Sequence, residues 1–155
     1  MLYATLKVVH LLGVVVWVGG MAFAHFFLRP SLELLPPPDR LRLMHAVLGR
    51  FFRAVLVASL AVLASGLWMI GRVAKATVQA GGSFEWPWYW ALMTAVGLLM
   101  VAIFGHIRFA LFRRFERAMA AGDTPAAAGA LAAVRQWVLV NLVLGLALIA
   151  LGALA

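Results

Sequence analysis

Four stretches of the sequence, about 4–28, 51–70, 88–112 and 133–155, are apolar and close to the length that crosses a bilayer. About 20 residues of helix span a hydrocarbon core roughly 30 Å thick. In lipid a helix satisfies every backbone N–H and C=O within itself. The expected fold is therefore all-α, an integral membrane four-helix bundle forming a single transmembrane domain over 1–155. Apolar residues make up 66% and charged residues 12% of the chain, against about 25% charged in a soluble domain. One apolar run alone would suggest a signal peptide or a single anchor; recurrence along the whole chain makes the membrane the body of the protein.

The first span is interrupted only by Thr5, Lys7, His10 and His25 and stops at Arg29-Pro30. After Pro36-Pro37-Pro38, with Asp39 as the expected N-cap, an amphipathic interfacial segment over about 40–50 leads into the second span. The third follows a Gly-Gly-Ser turn and the aromatic cluster Phe84, Trp86, Trp88, Tyr89 and Trp90, of the kind that marks a membrane interface. Gly122-Asp123-Thr124-Pro125 is a simple connection. Of the thirteen Lys and Arg, Arg29, Arg40, Arg42, Arg50, Arg53, Arg108, Arg113, Arg114, Arg117 and Arg135 gather on one side, leaving Lys7, Arg72 and Lys75 on the other. Positive charge accumulates in cytoplasmic loops, so both long connections are expected in the cytoplasm and both termini outside. The net charge of +8 thus answers to headgroups and topology, and nucleic acid is set aside as a partner. The expected setting is a bilayer of the bacterial-type inner (plasma) membrane, crossed several times.

Function must lie in the few polar residues within the spans, because ionisable groups there are expensive and usually face the bundle interior. With no cysteine, the available ligands are His, Met, carboxylate and backbone. At about 100° per residue, Lys7, His10, Trp17, Met21 and His25 fall within roughly an 80° arc of the first helix. His10 and His25 are separated by roughly 22 Å along the axis, one toward the outer and one toward the inner surface. His106 matches His25 in depth and shares a face with Trp88, Ala95, Leu99, Ala102 and Arg113, where two small residues leave room for something flat. His25 and His106 are expected to reach one ligand, with His45, at the inner interface, as the substitute partner. For His10 the soft partners are Met69 and Met93. Each imidazole has four possible roles: haem ligand, copper ligand, proton relay or interhelical hydrogen bond. Met21 with His25, and Met44 beside His45, suit copper; methionine is also an ordinary gap-filling residue. Asn141 reads as an interhelical hydrogen bond, Arg50 and Arg53 as residues reaching the headgroups or an anion such as a propionate, and Ser65-Gly66 as a packing notch.

Leu6-Lys7-Val8-Val9-His10, then Trp17-Val18-Gly19-Gly20, then Leu28-Arg29-Pro30 resemble the copper-resistance protein D (CopD) family, as do Arg50-Phe51-Phe52-Arg53 before Ser65-Gly66-Leu67 and Arg135 with Asn141 and Gly145. The Lys-x-x-His opening and Gly105-His106 are similar, more distantly, to HemJ-type protoporphyrinogen oxidases. That resemblance implies a b-type haem on His10. The chain departs from it in lacking a lysine early in the third span and in reading Asn141-Leu142-Val143-Leu144-Gly145 in the last. The CopD resemblance implies a link to copper uptake or tolerance. Three functions remain open at this point. The first is a membrane redox protein binding haem b through intramembrane histidines, in enzymatic form a haem-dependent oxidoreductase, with a quinone or another redox protein as partner and a homodimer as its assembly. The second is a copper transport or homeostasis protein, and the third a structural membrane subunit without a cofactor.

Overall fold

The computed structural model describes residues 1–154 and contains four long helices, Leu2–Leu34, Pro37–Gln79, Trp88–Ala120 and Thr124–Leu154, each long and apolar enough to cross a membrane. The protein is an all-helical, multi-pass membrane protein; Ala155, the end of the fourth expected span, lies outside the described residues.

The helices are longer than the apolar runs within them. The second begins at Pro37, where a locked φ and a missing N–H cost nothing in a first turn. Pro36 is the capping residue; Asp39, the expected N-cap, lies inside the first turn and pairs with Arg42 at 3.7 Å. No break separates the amphipathic segment from the span, because Leu41, Met44 and Leu48 continue the buried face onto the bundle. The third helix likewise runs on past residue 112, burying Phe112 and Phe115 while Arg113, Arg114 and Arg117 point outward. Gly81 and Gly122 end the second and third helices at φ values of 81° and 69°, the left-handed conformation that glycine adopts without a Cβ penalty.

Lipid tails are as apolar as leucine, so close packing rather than water exclusion holds such helices together, and small residues set the approach. A Cβ on Gly13 would come within 2.6 Å of Val62 Cγ2 and 3.2 Å of the Ala58 carbonyl oxygen, which locks the first helix against the second. Gly145 does the same for the fourth: a Cβ there would meet Val18 at 2.8 Å and Met100 at 3.1 Å. Each helix thus neighbours the next in sequence, the fourth returns to the first, and the first and third lie diagonally. They meet at the centre, where Trp17 stands edge-on to Phe104 at 6.2 Å. Phe52 continues the aromatic core against Phe104 and Phe112, at 6.0 and 5.2 Å.

The end of the bundle at the 34–37 and 120–124 connections is the arginine-rich one. Because basic residues favour the cytoplasmic side, a reporter active only outside the cytoplasm is expected to work when fused after Ala155 and to fail when inserted at Gly122. The reverse pattern would invert the orientation.

Candidate functional site

His10 lies on the face of the first helix that meets the second. Its Nδ1 is 3.0 Å from the Val62 carbonyl oxygen and 3.2 Å from Ser65 Oγ. A carbonyl oxygen only accepts, so Nδ1 carries the proton and donates it, and the tautomer is set: Nε2 keeps its lone pair. The Ser65 hydroxyl donates to the Ala61 carbonyl, which leaves its oxygen able to accept from the imidazole. Gly66 makes the contact possible, since a Cβ there would stand 3.2 Å from His10 Cε1. An imidazole whose Nδ1–H is held by a carbonyl is fixed in orientation and tautomer, the arrangement by which metal-ligating histidines are held. Met69 comes one helical turn after Ser65 on the same side of the second helix, toward the terminus-bearing end.

A second polar point lies at the centre of the bundle. Asn141, 1% exposed, donates from Nδ2 to the Met100 carbonyl oxygen at 3.3 Å, while its Oδ1 has no protein partner. The Nε1–H of Trp17, 3% exposed, is also unpaired. Both side chains, with Met21, line one cavity of about 10 Å³, close to the size that holds a single water. The expected interhelical bond of Asn141 is formed. Asn141→Leu is expected to lower stability by no more than about 1.7 kcal/mol, the upper end for such bonds in membranes; a thermal melt in detergent checks it, and a larger loss would give Asn141 a role beyond this bond.

The remaining sequence candidates disperse. The first helix carries π-turns at Val15–Gly19 and Ala24–Leu28, each of which inserts a residue, yet His10, Trp17, Met21 and His25 all stand on its inward side and only Lys7 of the expected stripe is exposed. Trp17 and Met21 are buried, Lys7 is exposed, and His25 lies beside Phe26 at the arginine-rich end, in a cavity shared with the second and fourth helices. His106 is exposed and stands 5.4 Å from Trp137. Trp88, Ala95, Leu99 and Ala102 are exposed with it, so the face expected to offer a flat slot is the outward surface of the third helix. His106 is not among the residues that line the cavity holding His25. His45 stacks on Phe112 at 5.9 Å and meets Phe115 at 5.8 Å; Arg53 is exposed; Met93 lies against Gly152 of the fourth helix. Among the described residues no three of His, Cys, Asp and Glu gather at metal-ligating distance.

The cradle of His10 consists of Ser65-Gly66, which the sequence marks only as a packing notch, and Val62, which it does not single out. Their signal is a small polar residue and a glycine at the depth complementary to an intramembrane histidine.

No curated protein and no solved structure matches the chain. The profile of the family described as copper resistance protein D, CopD, matches residues 45–155, which takes in the third and fourth helices and all but the first turns of the second. The first helix, with His10, precedes the match. With most of its length matched, this four-helix membrane protein belongs to the CopD family.

Proposed function

We propose that the protein handles copper within the membrane, taking Cu(I) as cargo on Nε2 of His10. The observation that supports this is the 3.0 Å contact of Nδ1 with the Val62 carbonyl, which leaves Nε2 with a lone pair to offer a metal. The family supports copper as the ion. Imidazole and thioether are the ligands a cysteine-free chain offers a soft monovalent metal. Met69, one turn from Ser65, is the nearest such residue along the second helix, and Met21 and Met100 are buried at the bundle centre. With the termini outside, His10 receives the ion from the external side of a bacterial-type inner membrane.

Haem b would use the same nitrogen of His10, and the observations give it less support than copper. Ala95 and Ala102 of the third helix face outward, and the central cavity holds about 10 Å³. The test is copper uptake by proteoliposomes, with a visible spectrum of the same preparation. Uptake that falls to the protein-free rate in His10→Ala supports copper handling; a Soret band with reducible α and β bands in place of copper would overturn it.

A further inference from the structure

A cavity of about 300 Å³ lies at the arginine-rich end, between the last turns of the first helix and the first turns of the second and fourth. Its walls divide by chemistry. Leu41, Met44, Leu48 and Leu131 form an apolar side, while Arg29, Arg40, Arg135 and Glu33 bring charge to it. Arg40 is already committed, donating from Nε to the Leu35 carbonyl at 2.6 Å and from its terminal nitrogen to the Glu33 carbonyl at 3.0 Å. Arg29 and Arg135 are not. Among the described residues the ion pairs are Arg42 with Asp39 and Arg113 with Glu116, so neither guanidinium is paired with a carboxylate, and both line the same cavity.

Three arginines against the single carboxylate of Glu33 leave this cavity with a surplus of positive charge, and such a surplus favours an anion joining Arg29 and Arg135. Guanidinium matches phosphate in geometry through its planar fork of donors. A copper cation is repelled here, which separates this cavity from the His10 site. The apolar wall beside the charges adds a second requirement, a hydrocarbon chain attached to the anion. We propose that this cavity binds the phosphate of an anionic phospholipid, with Arg29 and Arg135 on the headgroup and an acyl chain along Leu41, Met44 and Leu131. Basic pockets between membrane helices take anionic headgroups in this way.

The test titrates the full chain in detergent micelles with dioleoylphosphatidylglycerol, dioleoylphosphatidylcholine and inorganic phosphate. Phosphatidylglycerol is expected to bind in preference to phosphatidylcholine. The double variant Arg29→Gln/Arg135→Gln should weaken it roughly thirtyfold, about fivefold per arginine. Arg113→Gln/Arg114→Gln, on the exposed basic face of the third helix, should leave it unchanged. Arg135→Lys, which keeps the charge and loses the fork, should fall between wild type and the double variant, and serves if the double variant does not fold. Competition by millimolar phosphate would assign the site to free phosphate, and its failure to compete assigns the site to the lipid. Equal binding of the two lipids, or a loss in Arg113→Gln/Arg114→Gln as large as in the cavity variant, would overturn the proposal.

Discussion

Replacing His10 by alanine should weaken Cu(I) binding by about a hundredfold or more, measured by competition with a chromophoric Cu(I) chelator. Loss of a residue that merely orients a metal ligand already costs 10–100-fold, so loss of the ligand costs at least the upper value. His45→Ala and His106→Ala should stay near wild type, because one imidazole is held against Phe112 and Phe115 and the other lies outward beside Trp137. The alternative is that His10 only ties the first helix to the second. That role predicts a loss of stability under about 2 kcal/mol, the scale of one interhelical hydrogen bond, with Cu(I) affinity unchanged. Thermal unfolding and metal affinity of the same variant tell the two apart.

Gly13→Leu is expected to act on both stability and copper at once. A Cβ at this position already meets Val62 Cγ2 at 2.6 Å and the Ala58 carbonyl at 3.2 Å, and neither gives easily: Val62 is β-branched and Ala58 contributes backbone. Overpacking of this kind costs typically 1–3 kcal/mol. The residue pushed is also the one whose carbonyl holds His10 Nδ1, so parting the helices frees the imidazole to rotate and to change tautomer. Cu(I) affinity should fall roughly tenfold or more, as for loss of an outer-shell partner. Gly19→Leu is the control, since nothing stands within 4 Å of a Cβ there, and it should leave both properties near wild type. Equal Cu(I) affinity in the two variants would show that the packing of the first helix against the second does not orient His10.

The four helices were legible because lipid leaves a chain few options: length and apolarity alone decide which segments span. Their ends were not. Leu41, Met44 and Phe115 extend the buried faces beyond the apolar runs, and that is a tertiary fact, settled by which helix stands alongside. On the first helix the inward stripe was legible from His10 through Trp17 and Met21 to His25, with Lys7 exposed at its start. Angular reasoning failed on the third because a highly apolar helix gives little sign of which face is inward; Ala95 and Ala102 read equally well as a slot or as lipid-facing surface. Asn141 was legible, since a lone amide in a span must find a partner. The role of Ser65-Gly66 emerged only once the first two helices were set antiparallel, with residue 10 at the level of residues 62 to 66.

X-ray absorption at the copper edge of the Cu(I)-loaded protein tests most directly whether His10 is a ligand. Imidazole scattering is expected in the wild type, with metal–nitrogen distances near 2 Å, the usual length for a metal-bound imidazole. It should be lost in His10→Ala and retained in His45→Ala and His106→Ala. Identical spectra from the wild type and His10→Ala would contradict the assignment.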